Sequence, residues 1–181
     1  MTHVIEPALS GRAKCRGCDQ PIPKGELRLG EREPNPFGEG EMSIWFHLRC
    51  GAFKRPEVLV EALDSAPTEI PGSDDLRSIA EPGIAHRRLP RVNGAQRSPT
   101  GRARCRSCRE LIEKDTWRIP LVFFEMGRFQ PSGNIHAECA LEYLGTLELL
   151  DRVRHFSPQL SPDDLEAFRQ ALDLRNSKSA T

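Results

Sequence analysis

The feature that most limits what this chain can fold into is a nine-residue run that occurs twice. Ser10-Gly11-Arg12-Ala13-Lys14-Cys15-Arg16-Gly17-Cys18 returns as Thr100-Gly101-Arg102-Ala103-Arg104-Cys105-Arg106-Ser107-Cys108. Each copy is followed by a second half, His47-Leu48-Arg49-Cys50 and then His136-Ala137-Glu138-Cys139. The Cys-x-x-Cys pairs are displaced by 90 positions and the His-x-x-Cys pairs by 89, and all six cysteines belong to the pattern. Zinc prefers a tetrahedron of thiolates and imidazoles. A Cys-x-x-Cys turn offers two sulfurs on one side, and a distant His-x-x-Cys at the start of a helix closes the other. The spacing predicts two structural Zn2+ sites, Cys15/Cys18/His47/Cys50 and Cys105/Cys108/His136/Cys139. Pooling the two Cys-x-x-Cys pairs into one all-cysteine site would leave both histidines unused and demand a loop of nearly ninety residues. Disulfides are disfavoured because the histidines repeat in step with the cysteines, and because Met1–Ser10 carries no basic start and apolar run marking secretion.

The repeat divides the 181 residues into a first module at 1–81, a basic flexible linker at 82–99 and a second module at 100–181. With only 6% aromatic residues, each half has little core to bury, and a metal is the staple such small domains need. The expected class is α+β, two zinc-stapled modules of short antiparallel strands plus helices. No apolar stretch is long enough for a membrane span. The expected setting is a reducing, intracellular compartment in which thiolates stay free for metal. The formal charge is zero, with 26 basic and 26 acidic residues, but the signs are segregated. No acid occurs from Pro82 to Arg109, where there are eight arginines, whereas Glu57 to Glu81 holds seven acids against Arg77 alone. Net charge is a poor guide to partners when charge is distributed this way.

Taken in order, residues 1–9 read as an unstructured arm. Glu26–Leu29 alternates like a strand, the segment with Pro34, Pro36, Gly38 and Gly40 is an exposed loop carrying Phe37 and Met42 near its two ends, and Ser43–Phe46 is a returning strand that delivers His47. A helix from Leu48 is interrupted by Pro56 and restarts to Leu63, and another begins at Ser73-Asp74-Asp75. In the second half, 116–124 is a strand, 126–134 a loop, and 137–154 a single helix with an apolar stripe of Leu141, Leu144, Leu147, Leu150 and Val153. Ser161-Pro162-Asp163-Asp164 opens a last helix that ends near Arg175, with 176–181 frayed. The carboxylate pairs Asp74/Asp75 and Asp163/Asp164 are explained by helix N-termini. No phosphate loop, nucleophile elbow or open metal position is evident, so the expectation is a non-enzymatic protein.

Several motifs together resemble the PARP-type zinc finger, found at the front of poly(ADP-ribose) polymerase and of DNA ligase III. In the first half they are Ser10-Gly11-Arg12-Ala13-x-Cys15-x-x-Cys18, Ile22-Pro23-Lys24, Leu27-Arg28 and Trp45-Phe46-His47-x-x-Cys50. In the second they are Thr100-Gly101-Arg102-Ala103-x-Cys105-x-x-Cys108, Trp117-Arg118 and His136-x-x-Cys139. The interval of 28 residues between Cys18 and His47, or 27 between Cys108 and His136, is similar to that family. The second half departs from the pattern in having Asn134-Ile135 where the first has Trp45-Phe46.

The resemblance implies sequence-independent recognition of DNA strand breaks, meaning nicks, gaps and ends. It further implies a nucleoid or nuclear setting, with repair enzymes as further partners. Arginines would grip phosphates while apolar loop residues stack on base pairs exposed by the break. Carried over position by position, the arginines are Arg12, Arg28, Arg102 and Arg118. The stacking residues are Phe37 and Met42 in the first half, and Phe129 with Phe124 or Met126 in the second. The alternatives are a zinc-stabilised protein-interaction module and an RNA or single-strand binder using the same side chains.

Overall fold

The structure, a computed structural model, describes residues 3–174. It divides into two compact units, one of Met1–Ala85 with Phe124–Phe129, the other of His86–Phe123 with Gln130–Thr181. Each is a three-stranded sheet with helices packed on it, as the α+β expectation requires. Among the described residues no helix is long and apolar enough to cross a membrane.

In the first unit β1 (Val4–Pro7), β2 (Leu27–Pro34) and β3 (Glu41–His47) form an antiparallel sheet in that order. Leu29, Ile44 and Phe46 are buried from the sheet. Helices α1 (Leu48–Lys54), α2 (Pro56–Asp64) and α3 (Ser73–Ala85) supply Ala52, Phe53, Leu59, Ala62, Leu76 and Ala80 to the same interior. Pro56 sits at the first position of α2, where its missing N–H costs nothing. Gly30 lies across the sheet from Trp45, and a Cβ there would stand 2.6 Å from the indole ring. The missing side chain lets the tryptophan lie flat on the strand. Phe124 and Phe129 pack against one another with ring centroids 4.8 Å apart and planes tilted by 52°, and each meets Phe46.

In the second unit β4 (Gln96–Arg97), β5 (Trp117–Glu125) and β6 (Arg128–His136) make the equivalent sheet. The β5–β6 turn is Met126-Gly127, both at positive φ (49° and 73°) as a type I′ hairpin requires. Helices α4 (Ala140–Leu144), α5 (Leu150–Phe156) and α6 (Pro162–Asp173) cover a core that includes Ile119, Leu121, Ile135, Leu144, Val153 and Phe168. Ser161 and Asp164 form a capping box at the start of α6, the helix start expected from the sequence.

Four expectations are corrected. Val4–Pro7 is a strand paired with Leu27–Gly30 and not a loose arm. Residues 82–99 are no free linker. α3 runs through Pro82, and Leu89, Val92 and Ala95 are at most 1% exposed in the second unit's core. Ser157 fixes this segment, its Oγ accepting from the Ala95 N–H (3.0 Å) and donating to the Ala95 carbonyl (3.2 Å). The loop expected at 126–134 is the turn plus β6, since the edge of a sheet tolerates Pro131 and Gly133. The single helix expected at 137–154 is broken. A 3-10 turn (Ala137–Cys139) leads into α4, which stops at Gly145 in a left-handed cap (φ 79°), and α5 begins only at Leu150. The expectations for Arg175 and for 176–181 lie outside the described residues.

Gly30→Ala should cost about 1–3 kcal/mol, because the indole and Val4 must both yield to the new methyl group. Thermal unfolding reads this as a Tm lowered by several degrees. An unchanged Tm would contradict the placement of Trp45.

Candidate metal centres and nucleic-acid interface

The two cysteine-histidine sets are built by the same local hydrogen bonds. The Ile22 N–H donates to the Ala13 carbonyl, and Ile112 to Ala103, both at 2.8 Å, closing the Cys-x-x-Cys turn into a tight hairpin. Asp19 and Arg109 occupy the same left-handed position in it (φ 60° and 69°). The Arg16 N–H bonds the Trp45 carbonyl, and Arg106 bonds Asn134, both at 2.8 Å, tying the hairpin to the strand that ends at the histidine. His47 and His136 then stand immediately before a helical turn whose first residues carry Cys50 and Cys139.

The result is two clusters, Cys15/Cys18/His47/Cys50 and Cys105/Cys108/His136/Cys139, whose ligand atoms lie within 4.8 Å of one another. The six cysteines form no disulfide. Zn–S bonds of about 2.3 Å and Zn–N bonds of about 2.0 Å give a tetrahedral S···N edge of about 3.5 Å. His47 Nδ1 stands 3.4 Å from Cys18 Sγ and 3.8 Å from Cys50 Sγ, and His136 Nδ1 keeps the same 3.4 and 3.8 Å from Cys108 and Cys139. The donor set and its edges fit zinc. Each histidine's other nitrogen, Nε2, donates to a backbone carbonyl, Pro21 at 3.2 Å and Leu111 at 3.1 Å. That fixes the tautomer and leaves Nδ1 for the metal. Thiols crowded this closely cannot all ionise unaided. The hydrogen bond with Cys50 pulls Cys15 down to about 5, while that bond and burial push Cys50 up. At Cys105, burial pushes the thiol up, but backbone N–H groups of Cys108, His136 and Ser107 outweigh it and bring it to about 7. A divalent cation resolves the conflict. Each site takes four ligands from the protein, so these are two closed, structural zinc sites.

The residues expected to meet DNA fall into distinct settings. Arg12 and Arg102 are exposed, at matching places ahead of the two hairpins. Arg28 is only 6% exposed. Its guanidinium lies 3.5 Å from the centre of the Trp45 ring, and Nη2 donates to Glu6 Oε1 at 2.8 Å. Arg118 is half-buried, and burial lowers its pKa. With the Gln96 amide turned to suit its neighbours, its oxygen accepts from Arg118 Nε (3.0 Å) and Nη2 (2.6 Å). Glu6 and Gln96 therefore hold equivalent arginines from equivalent strand positions, Glu6 opposite Arg28 and Gln96 opposite Arg118. Sequence reasoning missed both, although their displacement of 90 matches that of the cysteine pairs.

Phe37 is 88% exposed on the loop between β2 and β3, with its N–H bonded to Asn35 Oδ1 at 3.0 Å. Met42 is half-buried on β3. Phe124 and Phe129 are also half-buried. Arg55 lies 4.2 Å from the Phe124 ring centre and Lys54 5.1 Å from that of Phe129, so a base pair would have to displace these cations or Phe46 to stack there. The exposed apolar residues of that hairpin are Met126, 76% exposed, and Phe123, 43% exposed.

With this geometry in hand, residues 6–84 match the family described as the Poly(ADP-ribose) polymerase and DNA-Ligase Zn-finger region. The chain is 28% identical to a poly(ADP-ribose) polymerase of Sarcophaga peregrina across 93% of its own length, which is 19% of that protein. It is 28% identical to poly(ADP-ribose) polymerase 1 of Oryza sativa subsp. japonica, covering 76% of this chain and 14% of the relative. Against poly(ADP-ribose) polymerase 1 of Caenorhabditis elegans identity is 38%, over 28% of this chain and 5% of the relative. The chain thus spans a fifth or less of the polymerases it matches, and the matched family region is a zinc-finger region.

Native mass measurement should find two zincs per chain. Cys50→Ser and Cys139→Ser should each remove one zinc and unfold the unit that held it, since such a site contributes on the order of 10 kcal/mol to folding. Acidification should release both ions, because histidine and thiolate bind metal only when deprotonated. A Cys50→Ser chain that still holds two zincs would rule out the first site.

Proposed function

We propose that this tandem zinc-finger protein of the PARP type binds interrupted duplex DNA, at nicks, gaps and ends, without reading base sequence. The observation that carries the reading is Phe37, a large apolar ring left 88% exposed on a short loop clamped between two paired strands. Exposing such a ring is unfavourable until it meets an apolar partner, and the face of a terminal base pair, available only at a break, is such a partner. Arg12 and Arg102 supply phosphate contacts, which position the protein and carry no sequence information. Arg28 and Arg118, held by Glu6 and Gln96, present their guanidiniums from fixed places. The resemblance of residues 6–84 to a region shared by poly(ADP-ribose) polymerases and DNA ligases supports DNA as the ligand. In the second copy of the repeat the β5–β6 hairpin offers Met126 as an exposed apolar tip, and Phe124 and Phe129 flank the turn from which it projects.

On this reading the zinc ions hold the fold and take no part in bond-making, and the protein acts as a sensor or an accessory that presents breaks to repair enzymes. The protein-interaction alternative predicts binding to a partner with little dependence on salt. The RNA alternative predicts preference for single strands.

Titrating nicked, gapped, blunt-ended and closed circular DNA in parallel tests the assignment, with nicked or gapped duplex expected to bind best. Four arginines each neutralising one phosphate give a slope of log K against log salt of roughly −3.6, and Arg12 with Arg102 alone roughly −1.8. Equal affinity for closed and interrupted duplex would remove break recognition, and stronger binding to single-stranded RNA would favour the RNA reading.

Phe37→Ala should weaken binding to nicked duplex by about 1–3 kcal/mol, the usual worth of one aromatic stack on a base, and leave intact duplex almost unaffected. Comparable losses on both substrates would show that the ring does not stack at the break.

A further inference from the structure

The second unit has a groove of about 390 Å³ on the flank of its zinc site, a volume that suits one or two side chains. Its floor is apolar, made by Leu111, Trp117, Ala171 and Leu174. Leu111 is 47% and Leu174 52% exposed at this concavity. Three carboxylates, Glu110, Glu113 and Glu138, line the same groove, and among the described residues no lysine or arginine does. Among the described residues none of the three glutamates is in an ion pair.

We propose that this groove is a docking site for a basic peptide segment of a partner protein, an apolar side chain flanked by lysines or arginines. The leucines and Trp117 bury the apolar residue, and the three carboxylates meet the flanking cations. Charge decides between classes of partner, because a nucleic acid brought here would meet carboxylates of its own sign. The site uses none of the residues assigned to DNA contact, so the protein can hold a partner while both arginine sets stay available. The proposal stands or falls separately from the DNA reading.

The test uses the zinc-loaded full chain and a short amidated peptide with leucines between lysine pairs. A peptide with glutamates in place of the lysines is the control. Calorimetry and amide chemical shifts are expected to give saturable one-to-one binding of the basic peptide, with shifts centred on Leu111, the Trp117 indole and Leu174. The control peptide should not bind. Glu110→Gln with Glu113→Gln should weaken binding roughly five- to tenfold, and Leu174→Ser should weaken it as well, with zinc content measured on each variant to verify the fold. Unchanged affinity in these variants would overturn the proposal, as would shifts centred on the acids of α2 and α3. Binding that appears only after deletion of residues 175–181 would assign the groove to this chain's own tail. The same shifts arising from protein concentration alone would assign it to a second copy. Either result would also overturn the proposal.

Discussion

Everything in this molecule depends on a ring nitrogen and three sulfurs meeting within a few ångströms, twice over. Each tetrad joins a tight hairpin near the start of a unit to the turn that opens a helix, and the strands between are strung across that junction. The histidine is the pivot. Its Nδ1 faces the sulfurs and its Nε2 is anchored on the hairpin's own backbone carbonyl, Pro21 in one unit and Leu111 in the other. The metal therefore fixes an entire sheet edge as well as a point. The arginines just ahead of each Cys-x-x-Cys inherit their position from it.

What was legible in the sequence follows from how local each signal is. Four ligands spaced by two residues at each end leave almost no freedom in assignment, so both metal sites could be read without coordinates. The same holds for Ser161, Pro162 and Asp164, whose cap, first-turn proline and box partner lie within one helical turn. The failures share one cause, tertiary contact overriding composition. Arginine, proline and glycine made 82–99 look like a linker, yet Leu89, Val92 and Ala95 recur at a regular spacing and are buried together. The run Gln130-Pro131-Ser132-Gly133-Asn134 looks like a loop, but an edge strand needs only part of its backbone paired. The leucine stripe of 137–154 promised one helix, and Gly145 stopped it after Leu144.

The arginines show where residue-by-residue analogy reaches its limit. Arg12 and Arg28 look equivalent as sequence, two arginines that each return 90 positions on as Arg102 and Arg118. In the structure one is free in solvent and the other is clasped by Glu6 and the Trp45 face. An arginine held in this way loses less conformational entropy when it meets a phosphate, but it must share its donors with a carboxylate already in place. Gln96 plays the same part for Arg118 without a charge, leaving more net positive potential in the second unit. The two units therefore differ in electrostatics at a position where their backbones agree.

The two units agree where the metal constrains them and differ at their tips. The clamps, the hairpin hydrogen bonds and the strand positions of the paired arginines agree between the units, because any change there disturbs a metal tetrahedron. The β2–β3 and β5–β6 connections are under no such constraint, and there the copies part. One keeps a loop that displays Phe37, whereas the other closes through Met126-Gly127. Under the proposed function, the first unit then carries the discrimination between broken and intact duplex, since an exposed aromatic ring is the part that needs a base-pair face. On the same reading the second copy adds the phosphate contacts of Arg102 and Arg118 and an aliphatic tip, Met126, in place of an aromatic one. A difference of that kind lets the two fingers act without competing for the same feature of the DNA.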